Sequence, residues 1–196
     1  EREERVRERT MQGEGVNQEL QRMNRELERV SFTDSLTNVA NRRAFDDLLT
    51  REFRRAKRTR LPLSLILLDI DSFKAYNDNY GHQQGDIALK QVAQALEEAL
   101  RDAGDVVARY GGEEFAVLLP ETDALGAEAV TERLRLAVEA MQVPHQFALV
   151  GKVLTVSAGV GTLVLGEQSS LSELVSLADQ ALYRANVRDS LEACAA

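Results

Sequence analysis

Val106-Val107-Ala108-Arg109-Tyr110-Gly111-Gly112-Glu113-Glu114-Phe115-Ala116-Val117-Leu118-Leu119 contains two β-rich runs joined by a Gly-Gly pair. Such a pair predicts a tight hairpin, because primed two-residue turns need positive φ, which glycine adopts freely. Two carboxylates follow at once, fixed to a turn. Alone they fit a surface hairpin with solvated glutamates. A second acidic cluster, Asp69-Ile70-Asp71, changes that reading. It ends the apolar run Leu63–Leu68, opened by Pro62, which predicts a central strand buried on both faces. Strand periodicity puts Asp69 and Asp71 on one face. Burying unpaired carboxylates is costly, so cations or a wet rim must accompany them. Asp71 alone fits a strand-terminal cap; for Asp69, directly after Leu68, a metal is the expected partner.

Together the two acidic clusters make an oxygen-rich site of the kind Mg²⁺ prefers, with Mn²⁺ as the alternative. Magnesium is usually held by one or two carboxylates plus substrate phosphates, so a nucleotide is the implied ligand. No Gly-Lys-Ser/Thr phosphate loop occurs, and the two histidines are too far apart in sequence to suggest zinc.

The remaining motifs, in order, are Asp34-Ser35-Leu36-Thr37 with Asn41-Arg42-Arg43, then Asp69-Ile70-Asp71-Ser72-Phe73-Lys74 and Asn77-Asp78. Gly81-His82, Gly85-Asp86 and Arg109–Phe115 follow, and Ser157-Ala158-Gly159-Val160 and Ala178–Tyr183 complete the set. In this ordered set the chain resembles the GG(D/E)EF family, the diguanylate cyclases of bacteria, from residue 31 to about 186. The resemblance implies an α+β fold: a mostly antiparallel central sheet flanked by helices, like the palm of nucleotide cyclases and polymerases. It implies condensation of two GTP molecules into cyclic di-GMP with release of two pyrophosphates.

Residue by residue, the resemblance implies that Asp69, the Ile70 carbonyl and Glu113 hold Mg²⁺, that Glu114 assists, and that Glu113 accepts a proton. Asp69 and Glu113 are thus the catalytic candidates. Adjacent glutamates on an ideal strand point to opposite faces, so turn distortion must bring both round or only one is a ligand. Asn77, His82 and Asp86 match substrate positions. An amide and a carboxylate suit the guanine edge, where adenine would leave the carboxylate unpaired. Taken singly, Asn77 fits a turn in Asn77-Asp78-Asn79, Asp86 a helix N-cap, and His82 a hydrogen-bonder in the Tyr80-Gly81 turn. The Ser72 and Phe73 amides with Lys74 would approach the phosphates, and Gly111 and Gly112 complete the substrate-binding set.

Two departures from the family pattern stand out. The last helix of the family ends in Ala-Lys with Gly-Arg-Asn shortly after, the Lys and Arg reaching the triphosphate. Asn186 and Ser190 occupy those positions here, with Arg184 and Arg188 as candidate substitutes. Weaker GTP binding is expected, with the chemistry kept. The Arg-x-x-Asp motif of product inhibition is Asp102-Ala103-Gly104-Asp105, with Arg101 one place early. An aspartate cannot supply the fork a phosphate wants, so strong feedback inhibition is not expected.

The 196 residues, 44% hydrophobic, allow one sizeable core. A net charge of −8 argues against a general nucleic-acid or anionic-membrane binder. One cysteine, Cys194, gives no disulfide framework, and no apolar run approaches the ~20 residues of a membrane span. The chain starts at Glu1, which reads as a fragment of a longer protein with an upstream sensor. A cytoplasmic location is expected, or the cytoplasmic part of a membrane-anchored protein.

Residues 1–30 read as a coiled-coil dimerisation and signalling helix, with a heptad seam at Val16, Leu20, Met23, Leu27 and Val30; residues 31–196 form the cyclase domain. In the family one domain binds one GTP, so two must face each other, and the seam would raise their local concentration as a homodimer. Asp34–Thr37, as helix stop and N-cap, would join stalk to domain. Helices are predicted over Asn41–Arg58, from Gly85-Asp86 to Leu100, over Asp123–Met141 and from a capping box at Ser170–Glu173, with a strand over Lys152–Leu163. Two other functions compete: a catalytically weak or silent domain that binds GTP as a regulatory input, and a structural dimerisation module. Neither needs all of Asp69, Glu113 and Glu114.

Overall fold

The structure, a computed structural model, describes residues 32–149, 151–164, 166 and 168–195. The predicted coiled coil of residues 1–30 and its boundary with the domain lie outside the described residues. Five strands, β1 (Ala40–Asn41), β2 (Pro62–Ile70), β3 (Val106–Gly111), β4 (Glu114–Pro120) and β5 (Val156–Val164), form one sheet in the order β1-β3-β4-β2-β5. Only the β1–β3 pair is parallel; β3–β4, β4–β2 and β2–β5 are antiparallel. Among the described residues five helices accompany them: α1 (Arg42–Thr59), α2 (Phe73–Tyr80), α3 (His82–Ala99), α4 (Ala124–Ala140) and α5 (Leu171–Ala195).

The apolar run of β2 makes it an interior strand, flanked by β4 and β5, although β4 and not β2 is the middle strand of the five. Its side chains alternate between two cores. Ile66, Leu68 and Ile70 join Leu89, Val92, Leu96, Leu134 and Val138 of α3 and α4 on one face. Leu63, Leu65 and Leu67 join Phe45 and Leu49 of α1 and Leu174, Ala178 and Leu182 of α5 on the other. By the same alternation Asp69 falls on the α5 face.

Local chemistry sets the helix ends. Asn41 Oδ1 accepts from Ala44 N at 2.9 Å to cap α1, and Asp123 Oδ1 accepts from Gly126 N at 2.8 Å to cap α4. Ser170 Oγ accepts from Glu173 N at 3.2 Å before α5.

Several elements differ from the sequence reading. The hairpin turn is Gly112-Glu113, not Gly111-Gly112. Gly111 still belongs to β3, a bulge lies between Arg109 and Gly111, and only Gly112 of the pair has positive φ, at 23°. Asn77 lies inside α2, because burial of Phe73 and Tyr76 overrides the turn preference of Asn77-Asp78-Asn79. Helix α3 starts at His82, so Asp86 is not its N-cap; the break falls at Gly81, at φ 85°. Lys152 and Leu154 pair with His145 and Val143 through backbone hydrogen bonds of 2.8 Å each, which leaves β5 to begin at Val156. Asp34 opens a turn, and the cap of the first described helix is Asn41.

Helix α5 lies directly on β5. A Cβ on Gly159 would collide with the backbone of Leu182 and Ala178, and one on Gly161 would come within 2.6 Å of Leu174 O. Gly159→Ala is therefore expected to cost about 1–3 kcal/mol by overpacking, read as a lower Tm. Gly104→Ala, at a position with nothing within 4 Å of the added Cβ, should stay near neutral. Equal losses in both variants would refute this account of α5 seating.

Candidate active site

The acidic residues meet where β2 ends. Asp69 is paired in register with Glu114 of β4 on one side and Ser157 of β5 on the other. Residues directly opposite in an antiparallel pair share a face, so the Asp69 and Glu114 carboxylates face the same way. The turn brings Glu113 round as well: its carbonyl accepts from Ile70 N at 3.4 Å, and its carboxylate acts electrostatically on Asp69. Burial first, then the negative charges of Glu113, Glu114 and Asp71, raise the Asp69 pKa from 3.8 to about 6. A Cβ on Gly111 would lie 3.2 Å from Glu114 Oε2, a tight approach to the end of an exposed side chain.

Asp71 has a different role. Its two oxygens accept from Thr155 Oγ1 and Ser157 Oγ, both at 2.6 Å, and its N–H donates to Thr155 O at 3.0 Å. It closes the end of β2 onto the chain entering β5, as the strand-cap reading anticipates.

Ser72 follows in the left-handed region at φ 54°, a strained setting for a non-glycine residue, and leads into α2. Its carbonyl accepts from Tyr76 N at 3.0 Å and from His145 Nε2 at 3.2 Å, and its Oγ accepts from Leu149 N at 3.3 Å. A carbonyl can only accept, so Nε2 carries the proton. His145 is fully buried, and its Nδ1 has no partner among the described residues. The sequence reading passed over His145; only its place beside Ser72 gives it significance.

The other candidates divide as follows. The half-buried Asn77 packs its side-chain amide over Gly85, where a Cβ would collide with it, and Asp86 is exposed one position further along α3. His82 is exposed at the first position of α3. Lys74 is exposed in the first turn of α2, whereas the Phe73 ring lies in the core and leaves only its backbone at the site.

Arg109 fixes the turn. Its Nε and Nη2 donate to Gly112 O at 3.0 and 2.8 Å, and its Nη1 donates to Asp34 Oδ1 at 3.2 Å. Asp34 also accepts from Thr37 N at 2.9 Å and Thr37 Oγ1 at 2.7 Å. Burial pushes the Asp34 carboxyl up, but the Thr37 hydrogen bonds and Arg109 outweigh it and hold the pKa below its usual value.

Two adjoining clefts share Asp69 and Asn186. One, of about 490 Å³, includes Glu114, Tyr183 and Arg184; the other, of about 470 Å³, includes Asp71, Ser72, Arg135 and Glu139. Asn186 thus stands at the site itself, while the Ser190 and Arg188 side chains lie outside the described residues. Among the described residues no group of three His, Cys, Asp or Glu side chains is arranged to hold a metal ion by itself. The donors still fit Mg²⁺, which keeps several waters and takes only one or two carboxylates beside substrate phosphates. Among the described residues no hydrogen bond or ion pair compensates Asp69, and a divalent cation would relieve that crowding of negative charge.

A family model described as "Diguanylate cyclase, GGDEF domain" matches residues 31–190. Diguanylate cyclase DgcP of Pseudomonas aeruginosa is 42% identical over 164 residues, covering 83% of this chain and 24% of that protein. Diguanylate cyclase DosC of Escherichia coli is 36% identical over 155 residues, covering 79% of this chain and 33% of that protein. The chain therefore spans about a quarter to a third of the length of these curated relatives. Among solved structures, the coiled coil and GGDEF domain of DgcB from Caulobacter crescentus, in complex with c-di-GMP, superposes with a TM-score of 0.83 at 30% identity. That match covers 93% of this chain and 95% of that one.

The raised Asp69 pKa has a testable sign. In metal-free protein its folded pKa, about 6, exceeds the ordinary 3.8. Its contribution to stability is therefore complete below the ordinary value and is lost as pH rises through about 6. Asp69→Asn should then raise Tm relative to the parent more at pH 8 than at pH 5, with a chelator present. A pH-independent difference in thermal melts would contradict the crowding.

Proposed function

The chain belongs to the GGDEF family of diguanylate cyclase domains, and from that membership we propose that it condenses two GTP into cyclic di-GMP with release of two pyrophosphates. The observation that carries the reading is the pairing of Asp69 opposite Glu114 at the end of β2, with the negative charges of Glu113 and Glu114 both acting on it. Asp69, the Ile70 carbonyl and Glu113 would hold Mg²⁺ there, with Glu114 assisting. When bound, the ion neutralises charge developing on the phosphates and lowers the pKa of the attacking hydroxyl.

The 3′-hydroxyl of one GTP attacks the α-phosphorus of the other, and pyrophosphate departs in line. Glu113 takes the hydroxyl proton; its position at a turn held by Arg109 supports that role. Asn77 and Asp86 read the guanine edge, supported by the packing of the Asn77 amide against Gly85, the residue before Asp86. His82, exposed at the head of α3, can reach the same ligand. The Ser72 and Phe73 amides and Lys74 receive the phosphates at the start of α2, where backbone N–H groups have no helical partners.

One site holds one nucleotide, so the ring closes only between two domains. The homodimer is formed through the helix of residues 1–30, with an upstream sensor biasing it. Among the described residues no helix is long and apolar enough to cross a membrane. The reading puts the domain in the cytoplasm, free or as part of a membrane-anchored protein.

A second reading, GTP binding as a regulatory input without turnover, is favoured by one observation: Asn186 stands at the site where the family has a lysine.

Incubation with GTP and Mg²⁺, followed by chromatography for cyclic di-GMP, separates the two. Product should rise faster than linearly with protein, and Glu113→Gln should lower it by about 100-fold or more. No product, with magnesium-dependent GTP binding retained, would favour the regulatory reading.

Feedback inhibition at the former Arg-x-x-Asp position should be weak. The cleft of about 420 Å³ there contains Glu97, Arg101, Asp102 and Asp105, and burial followed by Asp102 raises the Asp105 pKa. Submicromolar inhibition by cyclic di-GMP that Asp105→Ala abolishes would refute this.

A further inference from the structure

Asn186 leaves the nucleotide without one of the cations its polyphosphate needs, and two arginines border the trough formed by the clefts that meet at Asp69. Arg184 lies on the Glu114 side. Arg135, from α4, lies on the Asp71 and Ser72 side. We infer that Arg135 replaces the missing cation and binds the terminal phosphates of the nucleotide. The inference rests on the GTP reading above and assigns the leaving-group end of that site.

The two sides of the trough are chemically distinct. The Glu114 side borders the turn carrying Glu113, the proton acceptor, so it belongs to the attacking hydroxyl. The Ser72 side borders the start of α2, whose free amides suit phosphate oxygens. A departing pyrophosphate therefore points toward Arg135 and away from Arg184. The described lining of that second cleft includes Asp69, Asp71 and Glu139, and Arg135 is its single cation. A polyphosphate entering there meets mainly negative charge unless this guanidinium receives it.

Arg135 is held ready. Nε and Nη2 donate to the two Glu132 oxygens at 2.9 and 2.8 Å, and Nη1 donates to Glu139 Oε2 at 2.8 Å. These bonds use three of the five N–H donors of a guanidinium, leaving two for a ligand. Its side chain is 39% exposed, so the unused donors can reach a ligand from water. Anchoring by Glu132 limits the rotamer freedom lost on binding, and a planar fork suits phosphate oxygens better than a point charge does. Glu139 both lines the cleft and competes for the guanidinium, so it opposes binding.

The test is calorimetric titration of the intact chain with 3′-deoxy-GTP, which lacks the attacking hydroxyl, and with GMP, both with Mg²⁺. Arg135→Gln should weaken 3′-deoxy-GTP binding roughly tenfold while leaving GMP unchanged. Arg184→Gln should change neither. Glu139→Gln should tighten 3′-deoxy-GTP binding roughly threefold, an effect opposite to that expected from loss of a stabilising surface ion pair. Unchanged triphosphate binding in both Arg135→Gln and Glu139→Gln, or equal loss of both ligands in Arg135→Gln, would overturn the assignment while leaving the GTP reading intact. Failure of the parent chain to bind 3′-deoxy-GTP would overturn the GTP reading and this inference with it.

Discussion

The site depends on one constraint: an interior strand, β2, ends in a carboxylate that two neighbouring strands force to face another. The register of β2 against β4 and β5 places Asp69 opposite Glu114 and Ser157 and leaves it no choice of face. Leu63, Leu65 and Leu67 are locked into the α1–α5 core, so a slip by one residue would drive all three out of it. Packing thereby sustains an electrostatic conflict that the free chain would relax. Such a conflict is useful where a divalent cation is to be recruited, because binding relieves charge as well as adding ligands.

Around that conflict every neighbour is tied down. Hydroxyls from Thr155 and Ser157 bond both Asp71 oxygens, whereas among the described residues no such donor meets Asp69. Arg109 joins the Gly112 carbonyl to Asp34 and so ties the N-terminal turn to the acidic hairpin. His145 and Leu149 brace the strained Ser72, linking the segment ahead of β5 to the start of α2. Preorganisation of this kind keeps catalytic groups from relaxing toward water before substrate arrives.

Much of the fold was legible in the sequence because its signals are local. The nearly continuous apolar run of β2, the helical stripes of α1, α3, α4 and α5, and the Ser170 cap each announce themselves within one segment. The misreadings have equally local causes. Helix α2 hides behind turn-forming Asn and Asp residues and is stabilised from outside by buried Phe73 and Tyr76. Strand β1 has two residues, too few to show a period. The turn falls one residue later because Gly111 pairs with Glu114 in the ladder and only Gly112 takes positive φ.

Sequence alone determined the donor chemistry, since carboxylates two and one residues apart on a strand and a hairpin can be read from spacing, and the ordered motifs named the family. Tertiary structure decided which carboxylate is tied and which is left open. Asp69 and Asp71 look alike in sequence, yet hydroxyls some 85 residues downstream satisfy one and not the other. It also decided that His145 and Arg135 border the site. Both are unremarkable in their own segments and gain meaning only from strand pairing and helix packing across the chain. Periodicity reports which face a residue occupies, while its charged neighbours are set by long-range contacts that no local pattern encodes.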